Sequence, residues 1–251
     1  MLYKIYKKFC IFLIKKRGAF RRLYLFILFI YNSIIQDKYP KKIFVIGLNK
    51  TGTTSVKKAL VDFGYVVADQ FDAEILSEDV LSGNYRGLKK YLKTAEVFQD
   101  LPFATRGLFR YLYKLYPDSK FILTIRDENK WFNSLNQFME KRLNNEGFIV
   151  QDVIKVKDTL NLKYRYPSFD YILGKKIWHA GKSYVDNDEP LFDYELCNFY
   201  FISHINEVKS FFKDKNNLLV LNIEDDEAYG KLCNFLGKEK QYSMLPHENK
   251  T

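Results

Sequence analysis

The sequence predicts a three-layer α/β fold with a mainly parallel central sheet and a helical insert before the last strand. Short apolar segments with the length of buried strands alternate with helical stretches. The first of them runs into a glycine-containing loop that opens a helix, as phosphate-binding loops do. The polar residues that could carry chemistry follow strand ends, where parallel α/β sheets bind ligands. The predicted strands cover 43–48, 65–68, 96–99, 120–125 and 218–223.

Two glycines predict where helices end. Gly64 fits the end of a helix that begins near Thr54, and Gly237 the end of one that begins near Asp225. Residues 141–215 lack strand-like alternation and are predicted to be mostly helical, forming an insert where an acceptor pocket could be built.

The loop after the first strand keeps the spacing of a P-loop but moves its lysine. Gly47 and Gly52 have the G-x4-G spacing, yet Thr53 stands where an ATP- or GTP-binding loop has a lysine. Lys50 lies inside the loop instead. Its charge then falls near a single terminal phosphate rather than along a triphosphate. The loop therefore predicts a mononucleotide-type ligand.

A second anion site is predicted after the strand 120–125. Arg126 ends this strand, and Ser134 follows eight residues later, about two turns into the next helix. Because the arginine brackets the start of that helix, both side chains can bind one anion.

These two segments resemble the donor-binding motifs of sulfotransferases that use 3′-phosphoadenosine 5′-phosphosulfate (PAPS). The segment 50–55 resembles the 5′-phosphosulfate loop. The Arg126 and Ser134 pair resembles the 3′-phosphate motif, including its spacing. The resemblance implies PAPS as co-substrate, without a metal ion. The residues it assigns to PAPS are Lys50, Thr51, Gly52, Thr53, Thr54, Ser55, Arg126 and Ser134.

The resemblance covers about residues 41–140 and, more faintly, the strand at 218–224. The family commonly has Asn-Pro after the arginine, where this chain has Asp127 and Glu128, which affects only the local geometry of the turn. Trp131 either flanks the adenine or belongs to the core.

The same resemblance implies Lys50 and Asp100 as catalytic residues. Lys50 would approach the bridging oxygen of the donor. Asp100 precedes Leu-Pro, where cytosolic sulfotransferases have a histidine taken as the general base. An aspartate with an ordinary pKa of about 3.9 is a weak base unless it is partly desolvated, and Asp100 could equally cap the next helix. Alternative bases are Asp69, Asp72 and His179.

The net charge of +10 is concentrated at the N-terminus. Residues 1–38 hold nine basic side chains against one acidic, which leaves 31 basic and 29 acidic residues for the rest. We therefore predict a basic and apolar helical extension over 1–38 and one sulfotransferase-like domain over 39–251. The near-neutral domain, without a known nucleic-acid-binding pattern, predicts no nucleic-acid partner.

The extension is not predicted to cross a membrane. Its apolar runs, 9–14 and 23–31, are shorter than the roughly 20 residues needed, and no small-residue cleavage site of a signal peptide follows. Residues 1–35 either lie on an anionic membrane surface or pack on the domain as a solvated helix. The sequon at Asn49, inside the phosphate loop, favours a cytoplasmic location, with or without membrane association, over a Golgi-type lumen.

The acceptor is predicted only as a class, a small molecule or glycan with a hydroxyl or amine, such as a carbohydrate or glycolipid. Tyr164, Tyr166, Trp178 and His179 are candidates to stack on it, or belong to the core. Three cysteines and three histidines without metal-ligand spacing predict no metal site.

Two other functions remain open from the sequence. A nucleotide kinase with a divergent loop would want a lysine at Thr53 and would depend on magnesium. A non-catalytic relative could bind nucleotide or, through residues 1–35, a membrane lipid. The presence of Lys50, Arg126 and Ser134 argues against a decayed site.

Overall fold

The computed structural model describes residue 37 and residues 39–145 and 194–246. Elements are numbered in chain order within these residues. They are β1 (Ile43–Val45), α1 (Thr53–Asp62), α2 (Gln70–Ile75), α3 (Ser77–Leu81), α4 (Arg86–Tyr91), β2 (Val97–Gln99), α5 (Leu108–Leu115), β3 (Lys120–Ile125), α6 (Glu128–Asn145), α7 (Tyr194–Phe212), β4 (Leu218–Asn222) and α8 (Ala228–Leu236).

The four strands form one parallel sheet in the order β2-β1-β3-β4. Val45 of β1 lies between Gln99 of β2 and Ile122 of β3. The chain leaves β1 toward β2 on one side and returns to β3 on the other. In such sheets the crevice at the carboxyl ends of the two strands where the order reverses is where ligands bind. Here that crevice lies between β1 and β3.

Helices cover both faces of the sheet, which confirms the predicted three-layer α/β fold. Successive strand residues point to opposite faces. Phe44 and Ile46 of β1 belong to one buried cluster, and Ile43 and Val45 to the other. Helices α2 to α7 contribute to the first cluster, while α1 and α8 contribute to the second.

The strand predicted over 65–68 is wrong, because this segment makes only one bridge, between Val67 and Val97. The N–H of Val66 donates to the Glu96 carboxylate at 2.8 Å instead of to a neighbouring strand. Three residues after Val67, Gln70 begins α2. The side-chain bond on one side and the helix on the other keep the pairing from extending.

Both predicted helix ends are confirmed. Gly64 follows α1 with a φ of 85°, and Gly237 caps α8 with a φ of 66°. Both angles lie in the left-handed region that glycine adopts without steric cost.

The predicted insert is described only at its two ends, by the end of α6 and by α7. The four acceptor candidates at 164, 166, 178 and 179 and the membrane-surface segment 1–35 lie outside the described residues. Within the described ranges, none of the helices has the length and apolar character needed to cross a membrane.

The domain begins with a buried lysine that fixes the chain just before β1. Lys42 is almost fully buried, and its Nζ donates to Asp37 Oδ1 at 2.8 Å and to the Ala95 carbonyl at 3.0 Å. The Tyr116 hydroxyl donates to the other oxygen of Asp37 at 3.0 Å. Burial lowers the pKa of Lys42, while the Asp37 carboxylate favours its charged form. Asp37, in the last residues of the predicted extension, thus contacts the domain directly.

Candidate active site

The phosphate loop lies so close to the sheet that two of its positions have no room for a side chain. A Cβ on Gly47 would lie 1.9 Å from Oγ1 of Thr124 in β3. A Cβ on Gly52 would lie 2.4 Å from Cδ1 of Ile223, just after β4, and Gly52 also has a φ of 95°. The G-x4-G spacing therefore reflects two close approaches, one to β3 and one to the end of β4.

Lys50 lies in this loop with a φ of 69°, in the left-handed region that non-glycine residues rarely adopt. Its Nζ lies 4.7 Å from the ring centroid of Phe138 in α6, within the range of a cation–π interaction. The half-buried ammonium group is thus directed from the loop toward α6.

Thr51 stabilises the loop from within. Its hydroxyl lies 2.5 Å from the Leu48 carbonyl and 2.6 Å from the Thr124 hydroxyl, and its N–H donates to the same Leu48 carbonyl at 3.2 Å. The Thr51 N–H therefore closes a turn within the loop. Thr51 joins the loop to β3.

The first turn of α1 has backbone N–H groups that lack a hydrogen bond among the described residues. No side chain caps this helix and its first turn contains no acidic residue. Ser55 N–H donates to the Gly52 carbonyl at 3.1 Å, whereas the N–H groups of Thr53 and Thr54 make no hydrogen bond to a described residue. The Thr54 side chain is exposed, and those of Thr53 and Ser55 are buried. The unpaired N–H groups and the helix dipole favour an anion at this position.

Ser134 lies on the side of α6 that faces the loop. Trp131, three residues earlier, donates from Nε1 to the Asn49 carbonyl at 2.9 Å, and Phe138, four residues later, contacts Lys50. Residues at this spacing share one face of a helix. Ser134 is half-buried between two side chains that both reach the phosphate loop.

Trp131 belongs to the core. Only 4% of it is exposed, and its ring stacks on Phe201 of α7 with centroids 4.4 Å apart and planes at 15°. This side chain connects three parts of the site, namely the loop, α6 and α7.

Arg126 follows β3 and binds a carboxylate from the neighbouring strand end. Its Nε donates to Oε1 of Glu224 at 3.0 Å, and Lys130 Nζ donates to Oε2 of the same residue at 2.7 Å. The hydrogen bond from Lys130 has the largest effect and lowers the pKa of Glu224, and the bond from Arg126 lowers it further. Burial acts in the opposite direction. One carboxylate thus holds two cations beside the crevice.

Asp127 and Glu128, which replace the Asn-Pro common in the family, still form a turn that starts a helix. Asp127 Oδ1 accepts from the Lys130 N–H at 3.0 Å, and the Asp127 carbonyl accepts from the Trp131 N–H at 2.8 Å. These are the bonds of a helix N-cap. Asp127 therefore starts α6 in the way that an asparagine would.

Asp100 follows β2, the strand beside β1, with a φ of 59°. Its Oδ1 accepts from the Leu101 N–H at 3.0 Å, and the side chain is half-buried. Of the alternative bases, Asp69 accepts from the Asp72 N–H at 3.2 Å at the start of α2, which is a capping role. His179 lies outside the described residues.

The comparison with protein families agrees with this geometry. Residues 42–251 match the family model described as the sulfotransferase domain. The chain belongs to the sulfotransferase family. A search of curated proteins found no match. Sulfuryl transfer is thus the general activity of the domain that carries the loop and the Arg126 segment.

The described part of this sulfotransferase contains no cluster of ligands for a metal ion. Among residues 39–145 and 194–246, no group of three or more His, Cys, Asp or Glu side chains could hold one.

The sequence did not reveal a buried histidine behind the phosphate loop. His204 of α7 is fully buried and contacts the Ile46 carbonyl, directly before Gly47, at 2.8 Å from Nε2. Burial lowers its pKa to about 4, so the ring is neutral at pH 7 and donates from Nε2. Its Nδ1 is buried and makes no hydrogen bond to the part of the chain that the structure describes. Within an aromatic-rich helix, nothing in the sequence marked this residue.

We expect Gly52→Ala to destabilise the sulfotransferase more than Gly64→Ala. Both glycines have left-handed φ angles, but a Cβ on Gly64 meets nothing within 4 Å, whereas one on Gly52 meets Ile223. The angle costs about 1 kcal/mol at either site, and overpacking adds about 1–3 kcal/mol at Gly52 alone. Urea unfolding measures the free energy of unfolding of both variants. Adding Ile223→Ala to Gly52→Ala should recover part of the stability that Gly52→Ala loses. Equal costs at the two glycines would contradict the close approach.

We expect His204 to make stability fall between pH 7 and pH 5. The unfolded chain, with a histidine pKa of about 6.5, binds the proton in this range, while the folded chain, with a pKa of about 4, does not. The stabilisation is complete above the unfolded pKa and falls by about 2 kcal/mol by pH 5. His204→Gln keeps a donor near Ile46 and does not titrate. Unfolding curves at both pH values should show a smaller loss in the variant, and an equal loss would contradict a neutral buried ring.

Proposed function

We propose that this chain is a PAPS-dependent sulfotransferase that transfers a sulfuryl group to a hydroxyl or amine of an acceptor, with a carbohydrate or glycolipid as the first class to test. The observation that carries the proposal is the contact between two segments that are both predicted to bind anions. The loop after β1 and the Arg126 to Ser134 segment after β3 follow adjacent strands. The contacts of Trp131 with Asn49 and of Phe138 with Lys50 connect them.

The residues at this junction suit a nucleotide with phosphates at two positions. The N–H groups of Thr53 and Thr54 at the start of α1, with Lys50, would hold the 5′-phosphosulfate. Gly52 lets the backbone come close to the phosphate. The hydroxyls of Thr53, Thr54 and Ser55 lie in the same turn, and Thr51 shapes the loop. Arg126 and Ser134 would hold the 3′-phosphate, which distinguishes PAPS from ATP.

The donor supplies the activated sulfuryl group when it is bound. Asp100 would take the proton from the acceptor hydroxyl or amine as the acceptor atom bonds to sulfur. The bond from sulfur to the bridging oxygen breaks, and its electron pair stays on the 5′-phosphate. Lys50 and the start of α1 would stabilise this growing negative charge without having to reorganise. The products are the sulfated acceptor and 3′-phosphoadenosine 5′-phosphate (PAP).

The partners of the enzyme are proposed from charge alone. The nine basic residues of 1–38 suit an anionic membrane surface reached through residues 1–35. We propose a cytoplasmic enzyme that meets its acceptor at such a surface, with no nucleic-acid partner.

Calorimetric titration tests the choice of donor. We expect PAP to bind with micromolar affinity without magnesium, and AMP, which lacks the 3′-phosphate, to bind much more weakly. Arg126→Ala should remove the preference for PAP and leave AMP binding unchanged, because the arginine contacts only the 3′-phosphate. Arg110→Ala, which removes a guanidinium of α5 that pairs with Glu207 and not with a predicted site residue, is the control.

Magnesium-dependent binding of ATP instead of PAP would move the assignment to a kinase. If neither nucleotide binds, the chain would be a non-catalytic member of the family.

Two substitutions separate the proposed catalytic roles in an assay of PAP release from PAPS over a panel of hydroxyl and amine acceptors. Lys50→Ala should lower kcat by about 100- to 1,000-fold, because it removes a preorganised positive charge. Asp100→Asn keeps the size of the side chain but cannot take a proton, and should lower kcat by about 100- to 10,000-fold with little change in PAP affinity. An Asp100→Asn enzyme with unchanged kcat would leave Asp100 as a turn residue only.

A further inference from the structure

The carboxylate of Glu224 joins two cations beside the crevice, and neither the resemblance nor the family match assigns it a role. Glu224 follows β4, next to the β3 end that carries Arg126. Its Oε1 accepts from Arg126 Nε at 3.0 Å and its Oε2 from Lys130 Nζ at 2.7 Å. Both oxygens of one carboxylate are therefore used.

We propose that Glu224 is a positioning residue that holds Arg126 and Lys130 as a pair of cations around the 3′-phosphate of the donor. This inference rests on the proposed function. Glu224 binds the arginine through Nε, which leaves the two terminal amino groups of the guanidinium to bind a phosphate in bidentate fashion. Lys130 supplies a second positive charge from the first turn of α6.

Several contacts fix Glu224 itself. Its N–H donates to Asn222 Oδ1 at 3.1 Å, and the following N–H of Asp225 donates to the Asn222 carbonyl at 3.2 Å. Asn222 pairs with Ile125 at the end of β3, one residue before Arg126. The carboxylate and the guanidinium thus leave neighbouring strands at the same level of the sheet.

Arg126 and Glu224 are partly buried, which indicates that their ion pair is more ordered than an exposed one. The side chain of Arg126 is 26% exposed and that of Glu224 is 30% exposed, whereas Lys130 is 60% exposed. With one carboxylate between two cations, the group keeps one net positive charge for a ligand. Glu224 lets two basic side chains stand together that would otherwise repel each other.

The chain offers a matched control in a second carboxylate that binds two cations. Glu207 of α7 accepts from Arg106 Nε at 2.6 Å and from Arg110 Nη1 at 3.4 Å, and its side chain is 27% exposed. This group lies between α5 and α7 and contains none of the predicted site residues.

The experiment measures dissociation constants for PAP and AMP by calorimetry on the full chain, at fixed ionic strength, for wild type, Glu224→Gln and Glu207→Gln. We expect Glu224→Gln to lower the preference for PAP over AMP about ten-fold, because one charge-assisted bond that orients Arg126 is lost. AMP affinity should stay unchanged in both variants, and Glu207→Gln should keep the full preference. In an Arg126→Ala background, Glu224→Gln should lower the preference for PAP by a smaller factor than it does in the wild type.

Each of the other possible results overturns either the proposed function or the positioning role of Glu224. A wild type that binds PAP no better than AMP overturns the proposed function itself. A wild type that prefers PAP, with a preference unchanged or increased in Glu224→Gln, overturns only the positioning role, and an increase would make Glu224 a competing anion. An equal loss of PAP and AMP affinity would make Glu224 a structural residue and overturn the inference as well.

Discussion

The site depends on the close approach of the phosphate loop to β3 and to the end of β4. Gly47 lies against Thr124 and Gly52 against Ile223, with no room for a Cβ at either place. The hydroxyls of Thr51 and Thr124 meet at 2.6 Å, which connects the loop to β3 by a buried polar contact. Because protein interiors are close-packed, such contacts leave the loop essentially one position. The helix that follows then begins directly above the crevice between β1 and β3.

Side chains of α6 and α7 also fix the position of the phosphate loop. Trp131 of α6 binds the Asn49 carbonyl and stacks on Phe201 of α7, and His204 of α7 binds the Ile46 carbonyl. The backbone on both sides of Gly47 is therefore held by buried side chains. A site that stabilises developing charge gains most when its groups are already fixed before the reaction. The two aromatic contacts and the neutral imidazole provide that rigidity, while Lys50 and Arg126 provide the charge.

Local signals made most of the fold predictable from the sequence. The strand 120–125 was predicted with its observed bounds, since an apolar run with polar neighbours defines both of its ends. The strand at 65–68 was wrong, because its pairing is limited by the Glu96 carboxylate, a contact thirty residues away in the chain. Motif spacing alone predicts Lys50, Arg126 and Ser134 as donor-binding residues, and these roles stay predictions.

The supporting side chains of the site could not be predicted in this way. Glu224 is 98 residues from Arg126, and His204 is 158 residues from Ile46. Only the fold brings these pairs together. The motif spacing that predicts Thr51 as a donor-binding residue does not reveal that its hydroxyl contacts that of Thr124.

We infer that one nucleotide spans the loop after β1 and the segment after β3. A crystal structure of the full chain with PAP tests this inference. We expect the 5′-phosphate at the N–H groups of Thr53 and Thr54, and the 3′-phosphate within hydrogen-bond distance of Arg126 and Ser134. PAP bound with its 3′-phosphate away from Arg126, or bound at another edge of the sheet, would contradict it.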